Sequence, residues 1–197
     1  MPFLRVLVDD VDVATLDTQD REMAAVHAGG TRVDDDYADL SVSGGVYDPD
    51  VGVDHRIWVN QLPLKIGQTV TVALLENAIA TGEGRTVDEL YPGQHSEVSG
   101  TAASRSELAE EIRRLPQLRD GYTVRVTWDD KSPITFTTSP DEHGFLFSIL
   151  WHSRHPNRMS VSLHAYTIDS IEAEASGRTS FGEKVNLGSH VRLELVA

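Results

Sequence analysis

Leu64-Lys65-Ile66-Gly67-Gln68-Thr69-Val70-Thr71-Val72-Ala73-Leu74 and Val185-Asn186-Leu187-Gly188-Ser189-His190-Val191-Arg192-Leu193-Glu194-Leu195 carry one pattern 121 residues apart. In both, a glycine is followed by two polar residues and then by apolar residues at alternate positions. Alternation at period two is the mark of a strand with one buried face, because successive side chains point to opposite sides of the sheet. The glycine stands where the chain must turn into that strand, and it adopts positive φ without steric cost.

The match extends outward from this core. Leu4-Arg5-Val6 with Asp9-Asp10 finds Val124-Arg125-Val126 with Asp129-Asp130, and Thr15, Thr18 and Glu22 find Thr135, Thr138 and Glu142, all at a spacing of 120. At 121, Leu40, Ser41, Val42 and Asp48 face Val161, Ser162, Leu163 and Asp169. Any β-rich chain alternates, but register kept over several elements points to repetition. The expected fold is mainly β, with minor α+β character: two tandem β-rich units, small sandwiches or half-barrels, related by a pseudo-twofold duplication. Unit 1 spans residues 1–76, a linker 77–121 and unit 2 residues 122–197. Units of this size bury only about 60–65% of their unfolded surface, which favours their packing together.

Within unit 1 the reading is a hairpin of Phe3 to Val8 and Val11 to Leu16, a strand from Ala38 to Val46 and another from Thr69 to Leu75. Asp20 to His27 has helix-tolerant composition, and a short helix near 19–28, ended by Gly29-Gly30, is expected. Phe145, Phe147, Ile149 and Trp151 alternate with Leu146, Ser148 and Leu150 as a strand before a turn at His152 to Pro156. In the linker, Ser104-Arg105-Ser106-Glu107 is a capping box. A helix is therefore expected near 104–116, its apolar stripe formed by Leu108, Ile112 and Leu115 and its end set by Pro116.

Thirty-one acidic against 17 basic residues give a net charge of -14. A surface of that sign repels nucleic acid and anionic membranes and favours a cationic partner. Residues 1–76 carry -9 of it, 77–121 carry -3 and 122–197 carry -2, and five of the eight histidines lie in the last segment. No cysteine is present, so disulfides, thiolate nucleophiles and cysteine-ligated metals are excluded. No signal-like N-terminus and no apolar run long enough to span a bilayer is found, and a cytoplasmic location is expected.

Candidate chemistry is sparse. His152 and His155 could chelate a metal from one turn with His143 or His164 brought in by flanking strands; Arg154 and Arg158 within the same stretch oppose a cation, and no metal or cofactor is expected. Asp48, Asp50 and Asp54 alternate as in an oxygen-rich cation loop, but the glycine is misplaced and no bidentate glutamate follows. Gly82-Glu83-Gly84-Arg85-Thr86 lacks the Lys-Ser/Thr ending of a phosphate loop. No nucleophile elbow is present, and Trp58, Trp128 and Trp151 are expected to pack in the core. Asp34, Asp35, Asp36 and Asp39 form a clustered negative charge suited to docking a basic protein, with Asp48, Asp50 and Asp54 as further partner-binding candidates.

The stretch Trp58-Val59-Asn60-Gln61-Leu62-Pro63-Leu64-Lys65-Ile66-Gly67-Gln68-Thr69-Val70-Thr71-Val72-Ala73-Leu74-Leu75-Glu76 resembles the C-terminal part of small single-domain bacterial immunity-type proteins, many of them uncharacterised. In these a tryptophan precedes an apolar-Gly-polar-polar turn and a strand ending in glutamate; Gln68 here stands where an acidic residue is common. The resemblance implies a non-enzymatic protein that captures and neutralises a toxin. The alternatives are a metal-dependent enzyme using the His152/His155 hairpin and a carbohydrate-binding or structural β-module.

Overall fold

The computed structural model of the chain describes residues 1–48, 52–93, 104–175 and 177–196. The first half supplies β1 (Phe3–Val8), β2 (Val11–Asp17), β3 (Met23–Thr31), β4 (Ala38–Asp48), β5 (Gly52–Leu64) and β6 (Thr69–Leu75). Helices α1 (Val87–Leu90) and α2 (Arg105–Arg114) follow. The second half supplies β7 (Thr123–Trp128), β8 (Ile134–Thr137), β9 (Gly144–His152), β10 (Arg158–Tyr166), the short helix α3 (Ile168–Glu172), β11 (Arg178–Asn186) and β12 (His190–Val196). With 53% strand and 11% helix the protein is mainly β, as the alternating patterns predict.

The strands form two six-stranded antiparallel sheets, ordered β2-β1-β6-β12-β7-β8 and β11-β10-β9-β3-β4-β5. Replacing each first-half strand by the one six places later in the chain, and the reverse, turns each order back onto itself. Thr71 lies opposite Arg192 where β6 meets β12, and His27 lies opposite Ser148 where β3 meets β9. Both pairs are 121 residues apart, the spacing read from the sequence. Each half therefore contributes half of each sheet, and neither closes a sandwich by itself. The inward positions of both halves, among them Leu4, Val6, Val26, Leu40, Val72, Val126, Phe147, Ile149, Leu163 and Leu193, form one continuous core. Fully burying such a side chain stabilises by about 1.5–3 kcal/mol, so the seam between halves is an interior rather than an interface.

The two glycine turns behave as their spacing requires. Gly67 and Gly188 have φ of 87° and 90°. Opposite them, Asp9 and Asp129 take φ of 49° and 47° at the tips of the β1–β2 and β7–β8 turns. The Asp9 carboxylate accepts from Thr69 N–H (2.9 Å) and Gln68 Nε2 (2.7 Å). Asp129 accepts from Ser189 Oγ (2.8 Å) and His190 N–H (3.3 Å). Aspartate tolerates the left-handed region better than most residues, and here its side chain orders the glycine turn beside it.

Two local expectations are corrected. Residues 23–31 form a strand and not a helix: β3 is paired on both sides, with β4 and β9, and buries Ala24, Val26 and Ala28. Membership in a central strand overrides helix-tolerant composition. Helix α2 does begin at the Ser104/Glu107 capping box, but its buried residue is Ala109, while Leu108 and Leu115 stay exposed. The helix packs beside α3, where Arg113 pairs with Asp169 and Glu172 at 2.7 Å each, and of the expected stripe only Ile112 is half-buried.

The linker also straps the first-half rim of the sandwich. Thr81 bonds Thr15 of edge strand β2, Arg85 exchanges two backbone bonds with Ile57 of edge strand β5, and Trp58 Nε1 donates to Gly82 O. Covered edges do not recruit foreign strands. No helix among the described residues is long and apolar enough to cross a membrane.

Candidate functional site

The most elaborate polar construction lies at the end of the sandwich where β3 turns into β4. Thr31 ends β3, Ala38 begins β4, and the connection carries Arg32, Asp34, Asp35 and Asp36. Two arginines hold it, Arg32 of the connection itself and Arg119 of the linker. Arg32, 4% exposed, donates to Ser139 O and Pro140 O at 2.8 Å each, while its own backbone N–H bonds His143 O and its carbonyl accepts from Leu118 N–H. One residue thereby ties the β3–β4 loop to the end of the linker and to the β8–β9 loop.

Arg119 approaches from the linker. Its guanidinium donates to the carbonyls of Thr31 (3.0 Å), Asp34 (2.5 Å), Asp35 (3.2 Å) and Asp36 (2.8 Å), and to Tyr122 Oη (2.9 Å). It also lies 5.7 Å from the ring centroids of Tyr37 and Tyr122. A planar fork of fixed donors suits such a set of acceptors better than a point-charge ammonium. The loop carbonyls turn inward on one cation, and the side chains of Asp34, Asp35 and Asp36 are left exposed. Asp39, half-buried on β4, has its pKa raised, first by burial and then by the charges of Asp34 and Asp36. Asp34 and Asp36 thus oppose the charge of Asp39 on a backbone that is held in place, an arrangement that a nearby cation would relieve.

The aromatic floor is equally fixed. Tyr122 packs edge-on against Tyr37 and at a tilt against Phe145, with centroids 5.0 Å apart in both pairs. Its hydroxyl donates to Thr31 O. Such closeness requires Gly30: a Cβ there would collide with Tyr37 O and come within 3.0 Å of the Tyr122 ring. On the far side, Glu142 accepts from Ser139 N–H and takes a two-pronged bond from Arg178, which lowers its pKa.

The other acidic candidates do not join this patch. Asp48 and Asp54 lie at the opposite end of β4, roughly 30 Å away along eleven residues of strand. Asp54 is engaged by Arg56 at 2.7 Å, and Asp50 lies outside the described residues. The histidines do not gather into one site: His152 and His155 share a turn at one end of the β9–β10 pair, and His143 and His164 lie toward the other end. His143 is buried just before β9, whereas His152 ends that strand and accepts from Arg154 N–H. His155 sits in the exposed turn, its pKa lowered chiefly by Arg158, and His164 shares a bond with Thr179. No group of three or more histidine, aspartate or glutamate side chains fit to hold a metal occurs among the described residues. Of the tryptophans, Trp151 is buried in the core as expected. Trp58 and Trp128 pack partly buried on different sheets, so the three form no common stacking surface.

Arg32, Arg119, Tyr37 and Tyr122 were not legible as site residues in the sequence. Arg32 and Tyr37 lie about 85 residues from Arg119 and Tyr122, and no local spacing links an arginine near the end of the linker to the loop it holds. The fold and site together define an antiparallel β-sandwich with an arginine-anchored acidic loop at one end. No protein-family model, curated protein or solved structure matches the chain.

Proposed function

We propose that the chain is a non-enzymatic protein-binding module that captures a cationic protein partner on the β3–β4 loop, in the manner of an immunity-type inhibitor of a bacterial toxin acting in the cytoplasm. The observation that carries this reading is the clamp of Arg119 on the carbonyls of residues 34–36, which presents three exposed aspartates on an ordered loop. Holding the loop in advance reduces the ordering cost of binding, and clustered like charges steer an oppositely charged partner. The halves are proposed to descend from one duplicated unit; the loop and its arginine have no counterpart at the matching positions of the second half, where residues 153–157 form a basic, histidine-containing turn.

The test is association kinetics against ionic strength for a basic partner isolated from the source cells. The Asp34→Asn, Asp35→Asn, Asp36→Asn, Asp39→Asn chain should associate more slowly, with a flatter salt dependence, and dissociate at nearly the original rate. An unchanged association rate, with binding lost instead on substitution around His152 to Arg158, would move the interface to the other half and refute the proposal.

A further inference from the structure

The two sheets differ in what they turn to the outside. On the sheet ordered β2-β1-β6-β12-β7-β8, Arg5, Arg125, Arg192 and Glu194 alternate with buried core residues and point outward, as charged side chains on a solvated face do. The outer face of the sheet ordered β11-β10-β9-β3-β4-β5 is built otherwise. Strands β3, β4, β9 and β10 turn Ala24, Leu40, Phe147 and Val161 into the core, which leaves Ala25, Gly29, Ser41, Ser43, Ser160 and Ser162 on the opposite side. His27 lies among them, and burial lowers its pKa, so it is uncharged at neutral pH. From this flat ground stand two leucines, Leu146 and Leu150, 38% and 40% exposed. Among the described residues, charge enters these four strands' outer side at opposite corners, with Asp39 near the start of β4 and Arg158 at the start of β10.

Cross-strand register fixes how such a face meets its own copy. Leu150 lies opposite Ala25, and Leu146 opposite Gly29, where β9 pairs with β3. Ser160 on β10 and Ser43 on β4 flank the first pair, and His164 and Asp39 flank the second. A twofold axis along the β3–β9 seam, parallel to the strands, exchanges the two sides of every row. Leu150 and Leu146 of one copy then stand over Ala25 and Gly29 of the other, Ser160 over Ser43, and His164 over Asp39. Protruding side chains meet the smallest ones and no like charges are opposed, which is the self-complementarity that a twofold interface demands. Four strands of about nine residues give a face of roughly 20 by 30 Å. Two copies would bury about 1,200 Å² between them, the lower end of the range for stable protein interfaces.

We propose that two copies of the chain pack through this face, with β9 of each over β3 of the other, as a twofold dimer of four stacked sheets. The axis runs parallel to the strands, so both β3–β4 loops come to the same end of the dimer. The interface does not depend on the partner proposed for that loop, and its test needs no partner protein. A net charge of -14 on each copy opposes pairing at long range. Salt screens that repulsion and leaves the apolar contact intact, so association tightens as ionic strength rises.

Sedimentation velocity of the full-length chain from about 1 to about 200 μM, in about 0.05 M and about 0.5 M sodium chloride, measures this association. The expected result is a monomer–dimer equilibrium with a Kd on the order of 10 μM in the higher salt and several-fold weaker in the lower. Leu150→Lys, at an exposed position, should raise that Kd by about tenfold or more while leaving the denaturant midpoint unchanged. Leu108→Lys on α2, similarly exposed but away from the face, should leave the Kd unaltered. Cross-linking reads the register, since the chain has no cysteine of its own. Ser43 and Ser160 are three strand spacings apart, about 14 Å within one chain, which is too far for a disulfide. A mixture of Ser43→Cys and Ser160→Cys chains should therefore oxidise to a mixed dimer faster than either variant does alone. A chain that stays monomeric at the highest concentration, a Leu150→Lys variant that associates like the parent, or no preference for the mixed disulfide would each overturn the proposal. So would a monomer that floats with neutral phosphatidylcholine vesicles, which would assign the face to a lipid surface instead.

Discussion

Replacing Arg119 by lysine separates the geometry of the acidic loop from its charge. The substitution keeps the net charge at -14, so long-range attraction for a cation is unchanged. The guanidinium serves five acceptors, three of them loop carbonyls and a fourth the carbonyl of Thr31 at the end of β3. An ammonium carries three donors and no planar fork, so at least two acceptors lose their donor. Bonds to charged groups contribute about 1.5–3 kcal/mol at best, and at this partly exposed site a discounted ~1 kcal/mol each is the working value. Weaker stacking on Tyr37 and Tyr122 adds roughly 0.5 kcal/mol. The total of about 2–3 kcal/mol should lower Tm by roughly 5–10 °C for a chain of this length. Hydrogen exchange across residues 33–37 should rise while the core strands remain protected. Affinity for a basic partner should fall even though the charge is unchanged. A Tm within about 1 °C of the parent with unaltered exchange in the loop would show that Arg119 does not organise it, and the reasoning would fail.

Two further outcomes test the same end of the molecule. Gly30→Ala forces a Cβ into Tyr37 O and the Tyr122 ring and should destabilise by about 2–3 kcal/mol, whereas Gly182→Ala, with open space around its Cβ, should be nearly neutral; denaturant midpoints compare them. Stability should also fall in acid in two stages. His27 and His143 titrate below their ordinary value in the folded protein because burial disfavours the charged ring, so the unfolded chain binds their protons first and stability is lost as pH drops below about 6.5. Glu142, held below its ordinary value chiefly by Arg178, adds stability that is present above about pH 4.5 and lost as pH falls through its folded value. Denaturant midpoints against pH should show the upper stage shrinking in His143→Gln and the lower stage shrinking in Glu142→Gln.

What could be read from the sequence was what neighbouring residues decide. The alternation from Thr69 to Leu75 and from Phe3 to Val8 placed β6 and β1 at their observed bounds, because a sheet with one buried face imposes period two on its own strand. Gly67 and Gly188 could be assigned positive φ because a turn before such a strand requires it. The Ser104/Glu107 box announced α2 because capping is completed within four residues. The 120 to 121 residue spacing led to the expectation of two small units, each with its own sandwich or half-barrel, and did not reveal that each sheet takes three strands from each half.

What tertiary structure alone decided depended on distant partners. Ala24 to Ala28 became a strand because β9 and β4 flank it, and the thirteen-residue β5, whose pairing with β4 is interrupted by bulges, broke the alternation that would have revealed it. The acidic cluster at 34–36 was visible as charge, but its ordering rests on Arg119, and the tie from its loop to the β8–β9 loop on Arg32 and His143. These residues meet only after the sheets have formed. A local pattern records the environment that a segment makes for itself, whereas a site assembled from the β3–β4 loop, the linker and the β8–β9 loop exists only once burial brings the three together.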